Sequence, residues 1–351
     1  MASYSFKIAG RPVGDDHPTY IIAEIGSNFD GSLERARKLV DLAKESGADA
    51  VKFQSFKPDK IISKENFDRA SKSSFQSKWD QSVWDVYRQA TFPREWHHEI
   101  QGYCDARGIT FFSAPYDTEA VELLDAMNTP AFKVGSGDIS WLAHIDKMAR
   151  TGRPLILGCG ATTLSEIDEA VRTARAAGNQ QIALLQCVTN YPSPFEDANL
   201  RAMAALREAF GCVVGYSDHT PGSVVPLGAV ALGGRIIEKH FTDDKNRKGP
   251  DHSFAMDGAE FAQMVREVRN LEKALGDGVK RIMPAEKETY SLQRRSILAA
   301  VDIAPGTVLT AEHVTVLRPQ VGLLPRELPN VVGRTARAAI KKGDPIRWEL
   351  L

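Results

Sequence analysis

The sequence predicts a (β/α)8 barrel followed by a small β-rich domain. Eight short, almost continuously apolar segments recur between residues 20 and 238, and amphipathic segments with helical spacing follow most of them. Continuously apolar strands are typical of parallel sheets covered on both faces. Eight β-α repeats favour a closed barrel over an open sheet. Beyond Gly276 the alternation stops, and short strand-like segments separated by turns replace it.

The eight predicted strands are justified one by one by their apolar content. They are Tyr20-Ile21-Ile22-Ala23, Ala50-Val51-Lys52-Phe53, Ile109-Thr110-Phe111-Phe112, Ala131-Phe132-Lys133-Val134, Leu155-Ile156-Leu157, Ile182-Ala183-Leu184-Leu185, Val213-Val214-Gly215-Tyr216 and Arg235-Ile236-Ile237-Glu238. Thr163 and Glu166 have the spacing of a capping box and predict the start of a helix. The segment from Phe56 to Trp96 is too long for one crossover helix, so we expect an extra loop or helix over the barrel mouth.

The predicted domain boundaries follow the change of pattern. Residues 1–280 form the barrel, 281–293 a charged linker containing Pro284, and 294–351 a β-rich domain with turns at Pro305-Gly306 and Gly343-Asp344-Pro345. About 60 residues make a marginal independent core. We therefore expect this domain to lean on another surface.

Composition excludes several classes of function. The chain has 44 basic and 45 acidic residues, which does not favour a nucleic-acid or membrane surface. No apolar run reaches the length of a membrane helix, and residues 1–11 lack the apolar core of a signal peptide. Four cysteines lie far apart, without a Cys-x-x-Cys pair. We therefore expect neither a disulfide framework nor a structural zinc site, and a cytoplasmic location.

Polar residues cluster where the predicted strands end, which is where barrel enzymes keep their active sites. These segments are Glu24 to Asn28, Lys52-Phe53-Gln54, Lys133 to Asp138, Ser217 to Thr220, and Glu238 to Thr242 followed by Gly249-Pro250-Asp251. One polar residue at a strand end is as often a solvated rim residue as a functional one. Repetition at the same end of so many strands predicts a catalytic mouth.

The residue types suggest the chemistry. Lys52 and Lys133 can neutralise an anionic substrate, and Ser136 between two glycines can donate to phosphate oxygens. His219 and His240 follow neighbouring strands and predict a shared divalent metal site. Glu24 and Glu238 are candidate proton carriers.

Through the motifs that contain these residues, the chain resembles the sialic acid synthase family over nearly its whole length. The matching motifs are Ala23-Glu24-Ile25-Gly26, Lys52-Phe53-Gln54, Lys133-Val134-Gly135-Ser136-Gly137, Tyr191-Pro192-Ser193-Pro194, Ser217-Asp218-His219-Thr220 and Glu238-Lys239-His240-Phe241-Thr242. The tail resembles the antifreeze-like SAF domain through Arg294-Arg295-Ser296-Ile297, Arg318-Pro319, Val332-Gly333-Arg334 and Lys342-Gly343-Asp344.

The resemblance implies a transferase that condenses phosphoenolpyruvate with a sugar aldehyde to give a nonulosonic acid and phosphate, by C–O cleavage. It implies that His219 and His240 hold Mn²⁺, with Co²⁺ or Mg²⁺ as alternatives, and that Glu24 and Glu238 are catalytic. Substrate contacts are implied for Lys52, Gln54, Lys133, Ser136, Asp138, Thr189, Tyr191, Ser217, Asp251 and Arg318. A domain-swapped homodimer is also implied.

Four positions depart from the family pattern. Ala114 and Gly158 stand where a threonine and a serine usually contact phosphoenolpyruvate. Thr189 replaces an asparagine or serine, and Asp138 replaces a glutamate that contacts the sugar. The loss of two neutral hydrogen bonds would weaken donor binding by roughly 1–3 kcal/mol.

Two alternatives remain open on the sequence alone. A Schiff-base barrel aldolase would use Lys52 or Lys133 as the imine-forming amine, without metal and without phosphate release. A non-catalytic sugar-phosphate binding protein would explain Ala114 and Gly158, but it would not need the paired carboxylates and histidines.

Overall fold

The polypeptide begins with a short hairpin that sequence analysis did not predict. Strands β1 (Ser5–Ile8) and β2 (Arg11–Gly14) pair antiparallel. Phe6, Ile8 and Val13 are buried in one cluster with the lower interior of the barrel that follows. The hairpin therefore contributes apolar side chains to the end of the barrel opposite the site. The computed structural model describes residues 3–69, 76 and 79–351.

Eight parallel strands close into a barrel, as the sequence predicts. In chain order they are β3 Tyr20–Gly26, β4 Ala50–Ser55, β5 Thr110–Pro115, β6 Phe132–Val134, β7 Leu155–Gly158, β8 Ile182–Cys187, β9 Val213–Asp218 and β10 Ile236–His240. Their order around the barrel follows the chain, and β10 closes the ring against β3. Each strand overlaps one of the eight predicted segments, so the predicted barrel is confirmed.

Helices connect the strands and cover the barrel. They are α1 Leu33–Glu45, α2 Pro58–Ile61, α3 Lys64–Arg69, α4 Val83–Ala90, α5 Trp96–Arg107, α6 Thr118–Ala126, α7 Leu142–Ala149, α8 Leu164–Ala176, α9 Ala202–Phe210, α10 Val224–Ala231 and α11 Gly258–Leu275. The predicted capping box at Thr163 and Glu166 is confirmed at the start of α8. Helices α2 to α4 occupy the segment between β4 and α5, where an extra element was expected; its residues 70–75 and 77–78 lie outside the described part.

Strand residues alternate between two environments because successive side chains point to opposite faces. Outward residues such as Val51 and Leu184 pack against the helices in the main apolar cluster. Inward residues near the strand starts, such as Ile22, Phe112 and Ile156, fill the lower barrel. Burying each of these large side chains contributes about 1.5–3 kcal/mol. These packed apolar side chains lie directly below the layer of polar residues at the upper end of the barrel.

The chain folds into two compact units, Met1–Gly276 and Asp277–Leu351. The second unit contains α12 Lys287–Gln293, the antiparallel strands β11 Ser296–Ala299 and β12 Val314–Leu317, and α13 Leu328–Val331. Its own small core includes Ile297, Leu309 and Ile346. The segment interpreted as a linker, 281–293, thus contains the whole of α12 in the structure.

Two further observations concern the chain as a whole. All four cysteines are free and buried. Across the described residues, the structure contains no helix with the length and apolarity that spanning a bilayer requires.

Candidate active site

Strand register places the catalytic candidates in one layer at the upper end of the barrel. Glu24 on β3 pairs with Lys52 on β4 and with His240 on β10. Glu238 on β10 pairs with Ser217 on β9. These residues point into the barrel and lie one layer above the apolar residues that fill its lower part. The same alternation of side chains along each strand therefore places polar groups at the barrel mouth.

Two carboxylates and two ammonium groups form a buried cluster in this layer. Lys52 Nζ lies 2.7 Å from Glu24 Oε2 and 3.9 Å from Glu238 Oε2. Lys133 Nζ donates to Glu238 Oε1 at 2.7 Å, and all four side chains are almost fully buried. Gln54 Nε2 donates to Glu24 Oε1 at 2.7 Å, and Ser217 Oγ donates to Glu238 Oε1 at 2.9 Å. The four charges sum to zero, which is how buried charges are tolerated.

Charges within the cluster determine the protonation states of Lys52 and Glu238. Burial alone would lower the pKa of Lys52, but the Glu238 and Glu24 carboxylates raise it above its usual value. Burial would raise the pKa of Glu238, yet Lys133 and Lys52 hold it well below its usual range. Lys52 is therefore an ammonium at neutral pH, and Glu238 is a carboxylate.

The two predicted metal ligands lie side by side at the mouth. The rings of His219 and His240 are 5.5 Å apart between centroids. The Tyr191 ring packs 4.3 Å from His219, and the Phe254 ring lies 5.0 Å from His240. Asp251 Oδ2 lies 4.0 Å from His240 Nδ1 and accepts hydrogen bonds from the Ser27 amide and hydroxyl at 3.3 and 3.0 Å.

The histidine pair has the donor chemistry for a divalent cation. His219 Nδ1 donates to the Val188 carbonyl at 2.7 Å, which leaves its Nε2 as the acceptor atom. Burial, and then His240, lower the pKa of His219 to about 3, so its imidazole is neutral. Within the described residues, His240 Nδ1 is buried without a hydrogen-bond partner, and no group of three histidine, cysteine or acidic residues with metal-binding geometry occurs. The acceptor nitrogen of His219 and the unpartnered nitrogen of His240 would suit a divalent cation held by the two imidazoles.

Ser136 lies beside the sequence departure at Gly158. The Gly160 amide donates to Ser136 Oγ at 3.0 Å, and the hydroxyl contacts Cys187 Sγ at the same distance. A Cβ atom at Gly158 would lie 2.8 Å from Ser136 Oγ, so the serine hydroxyl occupies the space that a larger residue would need. Ala114 is buried in the neighbouring strand β5. The Ser136 hydroxyl therefore lies beside Gly158, where the family usually has a serine, and the Cys187 thiol contacts that hydroxyl.

A cleft of about 740 Å³, a volume that includes space continuous with solvent, opens above the cluster. Gln54, Tyr191, His240 and Asp251 contribute to its lining, so four of the predicted site residues converge there. Asp138 sits beside it in the 3-10 turn Ser136–Asp138, where burial raises its pKa to about 6. Thr189 is exposed, and its methyl group faces Gly160. Arg318 is exposed in the second unit, directly after β12.

Sequence reasoning missed several residues of this site. Tyr116 and Tyr87 line the cavity, and Cys187 contacts Ser136. Tyr116 and Cys187 stand at or directly after strand ends, so the rule that found Lys52 and Ser217 would also have found them. Tyr87 lies on α4, in the long segment between β4 and α5, and no strand-end signal indicates it.

Comparison with known families gives two matches. The NeuB family model matches residues 39–280, and the SAF domain model matches residues 294–351.

Individual relatives match over nearly the full chain. The N,N'-diacetyllegionaminic acid synthase of Campylobacter jejuni is 38% identical, covering 94% of this chain and 99% of its own. The human N-acetylneuraminate-9-phosphate synthase is 35% identical, covering 97% and 95%. The crystal structure of N-acetylneuraminic acid synthetase from Leptospira borgpetersenii, in complex with citrate, is 30% identical with a TM-score of 0.72, covering 82% and 95%.

Proposed function

The chain belongs to the NeuB family and carries a SAF domain, and on that premise we propose that it condenses phosphoenolpyruvate with a sugar aldehyde. The family resemblance predicted from the sequence motifs is confirmed, as is the barrel followed by a SAF domain. The proposed products are inorganic phosphate and a 3-deoxy-2-keto sugar acid of the nonulosonic class. The proposed enzyme is accordingly a transferase, and an acylated hexosamine-type sugar is the proposed acceptor.

The observation that carries this proposal is the buried cluster of Glu24, Lys52, Lys133 and Glu238. A binding protein would need cations for an anionic ligand, but it would not need two carboxylates held against them. Paired carboxylates and ammonium groups at a barrel mouth offer both charge compensation and proton transfer. The cluster therefore favours a reaction over simple binding.

In the proposed reaction, the C2=C3 π electrons of phosphoenolpyruvate form a bond from C3 to the aldehyde carbon, which leaves C2 electron-deficient. The C=O π electrons of the aldehyde move to its oxygen, which takes up a proton and becomes a hydroxyl group. Water adds at C2, and the C2–O bond to phosphate breaks, so phosphate leaves with the bond electrons. Lys52 and Lys133 bind the anionic donor, with Ser136 and Ser217 as further donor-side contacts. Glu24 accepts the proton of the added water, and Glu238 orients Lys133 and Ser217. Gln54 holds Glu24 in place through its 2.7 Å hydrogen bond.

His219 and His240 would hold the predicted divalent ion, with Mn²⁺ proposed first and Co²⁺ or Mg²⁺ as alternatives. When bound, such an ion supplies a Lewis acid for the aldehyde oxygen. Asp251, Tyr191 and Asp138 would contact the acceptor sugar, together with Thr189. Arg318 is proposed to reach an acceptor site from a partner subunit in a domain-swapped homodimer.

The aldolase alternative conflicts with the state of Lys52. An imine-forming lysine must be a free amine, and enzymes achieve this by lowering its pKa. Here the neighbouring carboxylates raise the pKa of Lys52, and Lys133 is bound to Glu238 at 2.7 Å. We therefore propose both lysines as anion contacts.

The proposal is tested by phosphate release from phosphoenolpyruvate with a panel of aldoses, acylated hexosamines and their 6-phosphates. Acceptor-dependent release is expected, with a product that mass spectrometry identifies as the acceptor plus one pyruvate unit. Glu24→Gln preserves the shape of the side chain and should abolish release, whereas Glu34→Gln, on the first turn of α1, is the matched control. Release that does not depend on any acceptor would contradict the proposal.

A further inference from the structure

The outer face of β9 and β10 contains a buried lysine–aspartate pair among apolar residues. Side chains on this face point toward the covering helices, and the neighbours of Lys239 on the same face, Ile237 and Phe241, belong to the main apolar cluster. Lys239 and Asp218 are each only 1% exposed there. Lys239 Nζ donates to Asp218 Oδ2 at 2.5 Å. The proposed reaction uses neither side chain.

Stability alone does not explain this pair. Taking two charged groups out of water costs free energy, and well-packed apolar residues in their place are often neutral or stabilising. A buried polar pair can instead select one local geometry among several. The segment whose geometry the pair affects is Asp218 to Thr220, which contains His219.

The hydrogen-bonded ladder between β9 and β10 ends just before His219. Its last register pair joins Asp218 to Lys239. His219 follows β9 by one residue, whereas His240 is the last residue of β10 and pairs with Glu24 on β3. The sheet therefore holds the backbone of His240 directly, and the backbone of His219 lies beyond it.

Side-chain hydrogen bonds take the place of the ladder around His219. Asp218 Oδ1 accepts from the Thr220 amide at 3.0 Å and from the Thr220 hydroxyl at 2.9 Å, which turns the chain around His219. Lys239 Nζ donates to the Thr220 carbonyl as well as to Asp218. The residues on both sides of His219 are thus hydrogen-bonded to the residue that precedes His240.

Contacts with the loop after β8 hold the other side of His219. Its Nδ1 donates to the Val188 carbonyl at 2.7 Å, and its own carbonyl accepts from the Ser193 amide at 2.9 Å. These bonds orient the ring relative to β8, but they do not set its distance from His240 on β10. The bonds made by Lys239 connect the two histidine segments directly.

These connections do not depend on the charge of Lys239. Burial lowers the pKa of its ammonium group, and the Asp218 carboxylate opposes that shift. Both the ammonium group and the neutral amine carry enough hydrogens to donate to Asp218 and to the Thr220 carbonyl.

We propose that Lys239 and Asp218 are positioning residues that hold His219 at the distance from His240 that a shared divalent cation requires. This inference rests on the metal site of the proposed function and deepens it, because both side chains act from the outer face of the barrel. The two histidines lie at the mouth, with 5.5 Å between their ring centroids.

The test measures Mn²⁺ binding to metal-free protein and does not depend on turnover. Electron paramagnetic resonance of free Mn²⁺ gives the Kd. Lys239→Met keeps an apolar stem and removes both donated bonds. We expect its Kd for Mn²⁺ to rise by about 10- to 100-fold, the usual effect of losing a group that orients a metal ligand. Asp218→Asn keeps an acceptor for Thr220 but weakens the bond from Lys239, and should raise the Kd by about 3- to 10-fold.

Arg94→Met is the matched control for a general loss of stability. Arg94 pairs with Asp117, the N-cap of α6, in another largely buried ion pair that lies away from β9 and β10. We expect this variant to be less stable in urea but to bind Mn²⁺ within about twofold of wild type, because distant sites act independently. Near-ultraviolet circular dichroism establishes that each variant is folded under the conditions of the titration.

The outcomes separate this inference from the proposed function. Equal Mn²⁺ affinity in wild type and both folded pair variants would overturn the inference and leave the proposed reaction standing. An equally large loss in Arg94→Met would also overturn it, because general destabilisation would then explain the effect. If Lys239→Met does not fold, Asp218→Asn decides by the same measurement. Wild-type protein that bound no Mn²⁺ would remove the proposed manganese site and the inference with it.

Discussion

Lys133 Nζ donates to Glu238 Oε1 at 2.7 Å across the full width of the barrel. Their strands, β6 and β10, lie four positions apart in either direction around the eight-stranded ring. Only the closure of the sheet can bring side chains from such distant strands into contact. The contact between Lys133 and Glu238 therefore depends on closure of the barrel, and it lies in the polar layer where the reaction is proposed to occur.

Replacing Lys133 should impair the donor side of the reaction. In Lys133→Met the ammonium is lost and a shape close to the original remains. We expect the KM for phosphoenolpyruvate to rise by about 10- to 100-fold, because the substrate loses one charge-assisted hydrogen bond. Steady-state kinetics measures this, and Lys64→Met, at an exposed lysine, should behave as wild type.

Borohydride reduction in the presence of substrate should leave no adduct; a trapped adduct on Lys52 or Lys133 would assign the aldolase chemistry instead.

Removing the metal should abolish turnover without unfolding the barrel. His219→Ala and His240→Ala each remove one imidazole from the pair, whose rings are 5.5 Å apart. We expect chelator-treated protein to be inactive and Mn²⁺, Co²⁺ or Mg²⁺ to restore activity. Elemental analysis should show loss of bound metal in both variants. As a control, His313→Ala in the second unit should retain it. Full activity in protein shown to be metal-free would refute this prediction.

The buried His97 should make the barrel sensitive to acid. Ser55 Oγ contacts His97 Nε2, and Ser55 also bonds Ser113 at 2.7 Å. Burial lowers the pKa of His97 from 6.5 to about 4. Above pH 6.5 both folded and unfolded chains are neutral at this residue. As the pH falls from 6.5 toward 4, only the unfolded chain takes up the proton, so the free energy of unfolding falls by up to about 3 kcal/mol.

His97→Gln tests this prediction because it retains hydrogen-bonding capacity but does not titrate. Urea unfolding of both proteins at several pH values between 4 and 7.5 gives the comparison. We expect the variant to be less stable at neutral pH and to lose less stability on acidification. Parallel pH curves for the two proteins would show that His97 does not carry the effect.

The tail should complete an active site through a partner subunit. Arg318 is exposed directly after β12 and carries a rigid fork of donors suited to an oxygen-bearing substituent. Mixing Arg318→Ala subunits with Glu24→Gln subunits should recover activity, because an exchanged dimer contains one site with both residues intact. Each variant alone should remain inactive. Absence of recovery despite subunit exchange shown by mass spectrometry would mean that the tail does not act in trans.

Much of the fold and of the site was predictable because both depend on local sequence periodicity. The eight apolar segments define the strands, and the strand-end rule then selects Glu24, Lys52 and Glu238. The hairpin β1–β2 was missed because four-residue strands give too short a pattern, although Phe6 and Ile8 alternate with polar residues. The contact of Ser136 with Cys187 depends on how β6 and β8 stand around the barrel, which no local pattern encodes. The position of Tyr87 at the cavity likewise arises from the path of the long segment between β4 and α5.

The fate of the bridging oxygen of phosphoenolpyruvate tests the proposed reaction most directly. The donor is labelled with ¹⁸O between C2 and phosphorus and turned over with an acylated hexosamine acceptor. Mass spectrometry then measures the label in the released phosphate. Breaking of the C2–O bond predicts that the phosphate retains the label and that release requires the acceptor. Unlabelled phosphate would place the cleavage between phosphorus and oxygen and would contradict the reaction proposed for the Glu24 and Lys133 cluster.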